Sequence, residues 1–338
     1  EQTITSLSEF SSKSFHTWVN SFLSQISINS LCLIFTNEIS QLLSNQPLSR
    51  SSSCSSRKKT SSSTNVNQCP KKKFELIIAK YTQWLQDSNK IISPFKQNII
   101  LTLINHINII ESLLEKKVSD ANSFDWMKFI RHLWDQTKKE VIIECGGWTN
   151  YQMKKLSSHN RIFLSPDTDK IFLFNSSSFR EKSASIIKVN NNRYNNNSSY
   201  KQIFEEFCYL FWTEMIVINA CTTPLNTIKD MFDIAASNKL WIYMEGLDSL
   251  NVTKNSINYL VYLSKFMQVI QQEVILNDIK SDDNDKMFCL MGCILIDDDI
   301  KNKECCLKSS SRVLSFIKPD INYYIRAIVT FGDKDNRE

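Results

Sequence analysis

The stretch that decides the fold is Gln202–Asn219, QIFEEFCYLFWTEMIVIN. Its first half puts Ile203, Phe204, Phe207, Cys208 and Phe211 on one face at helical spacing. Two polar residues later the pattern changes to Met215–Asn219, a short β-rich run. A helix that buries one face and runs directly into an apolar strand is the repeating unit of a covered parallel sheet. Similar short runs occur at Ser185–Val189, Leu240–Met244 and Gly292–Ile296, and further ones at Arg161–Leu164 and Lys170–Phe174. Asn255–Val274 supplies another helical pattern through Ile257, Leu260, Val261, Phe266 and Ile270. Strands alternating with helices over residues 151–338 predict an α/β domain whose parallel sheet carries helices on both faces.

The chain ahead of Gly146-Gly147 has a different texture. Trp18, Phe22, Ile26, Leu31, Ile34 and Ile39 predict one helix or a pair over residues 15–43. Residues 74–117 resume the helical period on either side of Pro94, and a third helix is expected over Ser123–Lys138 with Asn122 or Ser123 as its cap. Residues 1–150 thus read as an all-α segment. A Ser-rich, basic stretch at 44–73, containing SRSSSCSSRKKTSSS, interrupts it. That stretch has too few apolar residues to offset the entropy of ordering and is expected to be a disordered insertion.

Composition narrows the function. The 338 residues suffice for two ordinary domains, and 42% apolar residues suffice for their cores. Lys+Arg 40 against Asp+Glu 35 gives a formal charge of +5, too mild to indicate nucleic acid as a partner. Ten cysteines in a chain this long suggest reduced thiols, and neither Cys289/Cys293 nor Cys305/Cys306 has the companions a zinc site needs. No metal site is expected. The apolar runs near 99–114 and 207–220 are interrupted by Asn105, His106 and Glu214, which argues against membrane spans. An opening residue of Glu1 rather than Met suggests a piece of something longer. There are only five glycines, and none lies between 148 and 245. That gap excludes a Gly-rich phosphate loop there.

Several short motifs, in order, resemble a dynein heavy chain across the end of its linker and the large part of its first AAA+ module. Val118–Trp134, VSDANSFDWMKFIRHLW, is similar to the family's VsxxxdFeWlsqLRyyW, with Phe124, Trp126, Arg131 and Trp134 matching in type and spacing. Upstream, LTLINHINIIESLLEKKV resembles a linker helix, and FHTWVNSFL resembles the vexWLxxvE helix more weakly. Downstream, RIFLSPDTDK resembles RLVITPLTDR, MIVINAC resembles vvvFNCs, and RVLSFIKPD resembles RPvaMmvPD. The resemblance implies an AAA+ P-loop NTPase-like α/β module at 151–338, preceded by an all-α linker segment at 1–150. It further implies ATP and magnesium as the family's cofactors, although no cofactor is expected in this chain itself. Implied partners are other dynein subunits and the remaining AAA+ modules of a longer chain, with microtubules engaged indirectly and neither nucleic acid nor membrane. The cytoplasm and cytoskeleton, and the axoneme of a cilium or flagellum, would be its place.

Departures from the family pattern bear on the chemistry. Where the family has GGAPAGPAGTGKT, this chain has Asn190–Lys201, NNNRYNNNSSYK, so the phosphate-loop positions fall on Ser199, Tyr200 and Lys201, with Tyr200 in the place of the family's lysine and Lys201 one place after it. Such a loop needs glycines because its backbone takes positive φ while its N–H groups converge on phosphate oxygens. An alternative register through Glu181-Lys182-Ser183 also lacks glycine. The family's FDEF becomes Tyr243-Met244-Glu245-Gly246: Glu245 keeps the place of the glutamate that polarises water, and Met244 replaces the carboxylate on the magnesium side. Glu245 is either that catalytic residue in vestige or a solvated strand end. Asp297 takes the place of the sensor asparagine and opens an acidic triplet with Asp298 and Asp299. Arg312 aligns with the arginine that reaches a neighbouring module's nucleotide; it acts in trans or binds a local carboxylate. The expectation is a dynein-like chain whose first site has lost hydrolysis and serves a structural or regulatory role. An active motor ATPase is the alternative, and an all-helical scaffold with only an accidental likeness is the third.

Overall fold

A computed structural model describes residues 2–44, 70–92, 96–135, 137, 140–146, 148–150, 161–180, 184–190, 197–220, 222–238, 240–245, 290–296 and 311–316. The chain divides into two units, residues 1–142 and 143–338.

In the first unit the helices are α1 (Gln2–Phe10), α2 (Phe15–Ser21), α3 (Ser24–Ser44), α4 (Pro70–Asp87), α5 (Lys96–Glu115) and the single turn α6 (Phe124–Met127). An aromatic network holds them. The Phe15 ring stacks on Trp84 at 5.1 Å, Phe10 meets Trp18 edge-on at 4.9 Å, and Phe35 lies flat on His106 at 4.0 Å. Trp18 is fully buried, and its indole N–H donates to the Ser6 carbonyl at 2.8 Å. Each such ring contributes about 2 kcal/mol by leaving water.

Two expectations for this region are corrected. Residues 123–138 do not form one helix: after α6 come β1 (Arg131–Asp135), β2 (Glu140–Cys145) and β3 (Trp148–Asn150), so the segment is not all-α to residue 150. The His132 N–H donates to Thr36 Oγ1 of α3 at 3.1 Å, which anchors the start of β1 in extended form. The two ends of the expected insertion are also helical, since Ser44 closes α3 and Pro70 opens α4. Proline is well suited to a first helical position, where no N–H is needed. Residues 45–69 lie outside the described ones.

The second unit begins within β2. β2 and β3 pair antiparallel, with Cys145 opposite Trp148. Gly146 has φ +57, a conformation that favours glycine, and a Cβ there would have to displace the tip of Leu173, whose Cδ1 would lie 2.4 Å away. Then follow α7 (Pro166–Arg180), β4 (Ala184–Asn190), α8 (Asn197–Leu210), β5 (Met215–Asn219), α9 (Leu225–Asn238), β6 (Trp241–Glu245), β7 (Leu290–Ile296) and β8 (Ser311–Phe316). β4 to β8 form one sheet in the order β5-β6-β7-β4-β8, and every neighbouring pair is parallel. An all-helical scaffold has no such sheet.

Residues 161–174 hold a further correction. Arg161–Leu164 is irregular and 170–174 is helical. Ser165-Pro166-Asp167-Thr168 is a helix start: the Ser165 N–H donates to Thr168 Oγ1 at 2.8 Å and the Thr168 N–H to Ser165 Oγ at 3.3 Å. This reciprocal cap, with proline in the first turn and acidic residues after it, outweighs the β-prone Ile171, Phe172 and Phe174. The helical pattern at 255–274 lies outside the described residues.

The α8 face read from the sequence is the core of this unit. Phe204 meets Tyr243 at 4.9 Å, and Phe207 and Phe211 meet Trp241 at 5.5 and 5.8 Å. Trp241 and Tyr243 are two apart in β6 and so share the face under α8. The crossovers β4–α8–β5 and β5–α9–β6 run in opposite directions across the sheet, so the right-handed rule sends α8 and α9 to opposite faces.

Candidate functional site at the carboxyl edge of the sheet

Parallel strands all end on one edge, and in a sheet of this kind the crevice outside that edge, where the strand order reverses, is the place for a ligand. Here β4 starts mid-sheet, α8 carries the chain to β5 at one edge, and later strands return beside β4. The edge is formed by Asn190, Asn219, Glu245 and Ile296.

Ser199, Tyr200 and Lys201 lie in the first turn or so of α8 rather than in a loop extending to 201. The helix starts at Asn197-Ser198, residue types that favour helix beginnings over helix interiors. Lys201 and Glu245 are brought together: Lys201 Nζ is 3.8 Å from Glu245 Oε1 and 3.9 Å from Glu205 Oε1. All three side chains are partly exposed, at 37% for Lys201, 30% for Glu245 and 31% for Glu205, so each pair is a weak solvated one. The Glu245 carbonyl accepts the Ala220 N–H at 2.9 Å, and Asn219 Oδ1 accepts the Thr222 N–H at 3.2 Å. The first carries the β5–β6 pairing one bond further, and the second starts the turn that follows β5.

Met244 is 2% exposed and paired in register with Ile218 and Gly292. A buried thioether offers no oxygen to a hard cation such as magnesium. Arg312 is not at the carboxyl edge. It lies opposite Ser185, five positions before Asn190 in β4, which is about 16 Å along the strand. Asp297 follows the end of β7 and, like Glu181-Lys182-Ser183 ahead of β4, lies outside the described residues. Because 181–183 precede β4, that register would put a phosphate loop at the wrong end of the strand.

Sequence reasoning missed a buried ion pair. Arg161 Nε donates to Glu206 Oε1 at 2.7 Å, and the Ile162 N–H donates to Glu206 Oε2 at 3.2 Å. The side chains are 2% and 0% exposed. The guanidinium also lies 5.3 Å from the Tyr209 ring centre. Burial pushes the Glu206 carboxyl above its ordinary range, while Arg161 and the Ile162 N–H pull it back only in part. The available signal was the second glutamate of IFEEFCYLF, set among the apolar residues of the helix. Cys208, one turn from Glu205, has its thiol pushed well up, first by burial and then by the Glu205 charge.

The second unit is therefore of the α/β class with a parallel sheet, a strand-to-helix connection ahead of α8, and a lysine and a glutamate converging at its carboxyl edge. No protein-family model matches the chain. It is similar to the human protein Dynein axonemal heavy chain 10, with 30% identity over 80 residues, 23% of this chain and 2% of that one. It is also similar to the human protein Dynein axonemal heavy chain 2, with 21% identity over 158 residues, 46% of this chain and 3% of that one. Both matches support a distant relationship to dynein heavy chains, and they span only a few hundredths of those relatives' length. Among the described residues no helix is long and apolar enough to cross a membrane.

Proposed function

We propose that residues 151–338 are a degenerate AAA+-like module of a dynein-related protein, that the helical part before them is a linker end, and that the module serves a structural or regulatory role in a dynein complex. The observation that carries this reading is the pairing of a phosphate-loop strand order, β5-β6-β7-β4-β8, with a connection from β4 to α8 that contains no glycine. The strand order supports descent from a nucleotide-binding scaffold. The asparagine tract and the buried Met244 are poorly suited to gripping a triphosphate and its magnesium. Positioning and charge neutralisation are nearly the whole of phosphoryl-transfer catalysis. A module lacking both is a spacer or a sensor rather than an engine. The likeness to axonemal dynein chains supports an axonemal setting, with other dynein subunits as partners.

One observation favours the alternative of a retained ATPase site: Lys201, one place beyond the family's lysine position, and Glu245, in the place of its glutamate, do meet at the carboxyl edge. Thermal unfolding of the whole chain with and without millimolar Mg-ATP separates the two readings. The degenerate reading expects no change in midpoint. A tight site held at ~100 times its Kd would add about 2.7 kcal/mol, several degrees of midpoint, and a shift of that size refutes the proposal.

A further inference from the structure

Lys201 has two carboxylates within 4 Å, and they differ in origin. Glu205 lies one turn further along α8, so its pairing needs nothing beyond the helix itself. Glu245 comes from the end of β6, which is separated from β4 in the sheet by β7. The ammonium therefore spans from the first turns of α8 to a strand two places away from the one that leads into that helix. It crosses the carboxyl edge where an anion would have to sit.

We propose that Glu245 serves as the built-in counter-anion of Lys201, occupying the lysine in place of a bound phosphate. The inference rests on reading this unit as a phosphate-loop module, and it adds what keeps the site closed to anions. Loss of glycine alone would leave a lysine free to attract phosphate, since one cation at a helix start is already an electrostatic attractor. The Glu245 carboxylate at 3.8 Å offsets that attraction, and Glu205 adds a second acidic neighbour at 3.9 Å. Both side chains are partly exposed, so the bridge adds little to stability and its main effect falls on anion affinity.

The test measures binding of inorganic tripolyphosphate to the full chain at low ionic strength by titration calorimetry. It compares the native protein, Glu245→Gln, and the double variant Lys201→Met/Glu245→Gln. Glu245→Gln removes the charge and keeps the shape at a half-exposed position, and an unchanged unfolding midpoint verifies its fold. The expected result is affinity about two- to fivefold above native in Glu245→Gln, the range to which a surface ion pair of ordinary strength corresponds, with the gain absent from the double variant. Equal affinity of native and Glu245→Gln, including binding by neither, overturns the proposal, as does a gain that persists without Lys201. Failure of the underlying reading has a different signature, since the native chain would then be stabilised by Mg-ATP.

Discussion

The floor and the rim of the second unit share one helix and differ in almost everything else. Along the floor, Phe204, Phe207, Cys208 and Phe211 of α8 are all within 3% of complete burial and are matched by rings from β6. At the rim, a few residues earlier in the same helix, Lys201 makes only long, partly solvated contacts with Glu205 and Glu245. Close packing penalises even one lost methylene, whereas a solvated edge tolerates nearly any polar residue. A binding site can therefore lose its ligand chemistry while the scaffold beneath it stays intact.

The contrast is tested most severely by Phe207→Ala. The ring is fully buried against Phe172 and Trp241, so its removal is expected to cost about 3–5 kcal/mol in urea unfolding. A loss under about 1 kcal/mol would mean the floor is not the close-packed core described.

Glu206→Ala sharpens the comparison from the polar side, because it leaves the Arg161 guanidinium buried without its carboxylate. The expected loss is about 3–5 kcal/mol at neutral pH. Glu206→Gln isolates the proton. The folded-state pKa of Glu206 is raised, so its contribution is fully present below the ordinary value of 4.5 and is lost as pH rises through the higher folded value. Across that window the native chain should lose stability relative to Glu206→Gln as pH increases. Parallel pH profiles for the two proteins would contradict the burial of this carboxylate.

Lys201→Met, at the rim, is expected to change stability by no more than about 0.5 kcal/mol, and less in high salt. A loss as large as that of Phe207→Ala would erase the distinction between floor and rim.

The floor was legible in the sequence because a buried parallel strand must be apolar and a covering helix must repeat its apolar face. Met215–Asn219 and Leu240–Met244 have that pattern, and each forms a strand within a residue of its expected limits. Where local and long-range signals conflicted, the local cap won: Ser165 and Thr168 start a helix through residues whose β-prone side chains suggested a strand. Two helix ends were hidden for a different reason. Lys117 and Trp212 take positive φ, 53 and 52, at the ends of α5 and α8, the position where glycine usually marks a stop. The Val118 N–H returns to the Leu113 carbonyl and the Thr213 N–H to that of Cys208, both at 3.0 Å, so the stop is made without the residue that advertises it. At the rim, the place of Glu245 was legible through family resemblance, and Lys201 stood one position beyond the family's lysine. Their meeting depends on a strand order that no local pattern contains.

Glu205 and Glu206 are adjacent, yet one sits beside a solvated lysine and the other ends on a guanidinium in the dry interior. Neighbouring positions on a helix point about 100° apart, so α8 has a fixed rotational phase. A single residue inserted between Lys201 and Phe204 would swing the lysine away from both glutamates and leave the aromatic face seated. The same insertion between Glu206 and Phe207 would pull the buried carboxylate out of line with the rings beyond it. Changes of length thus divide at the second turn of this helix: on one side they retune the charge of an edge, and on the other they dismantle the domain.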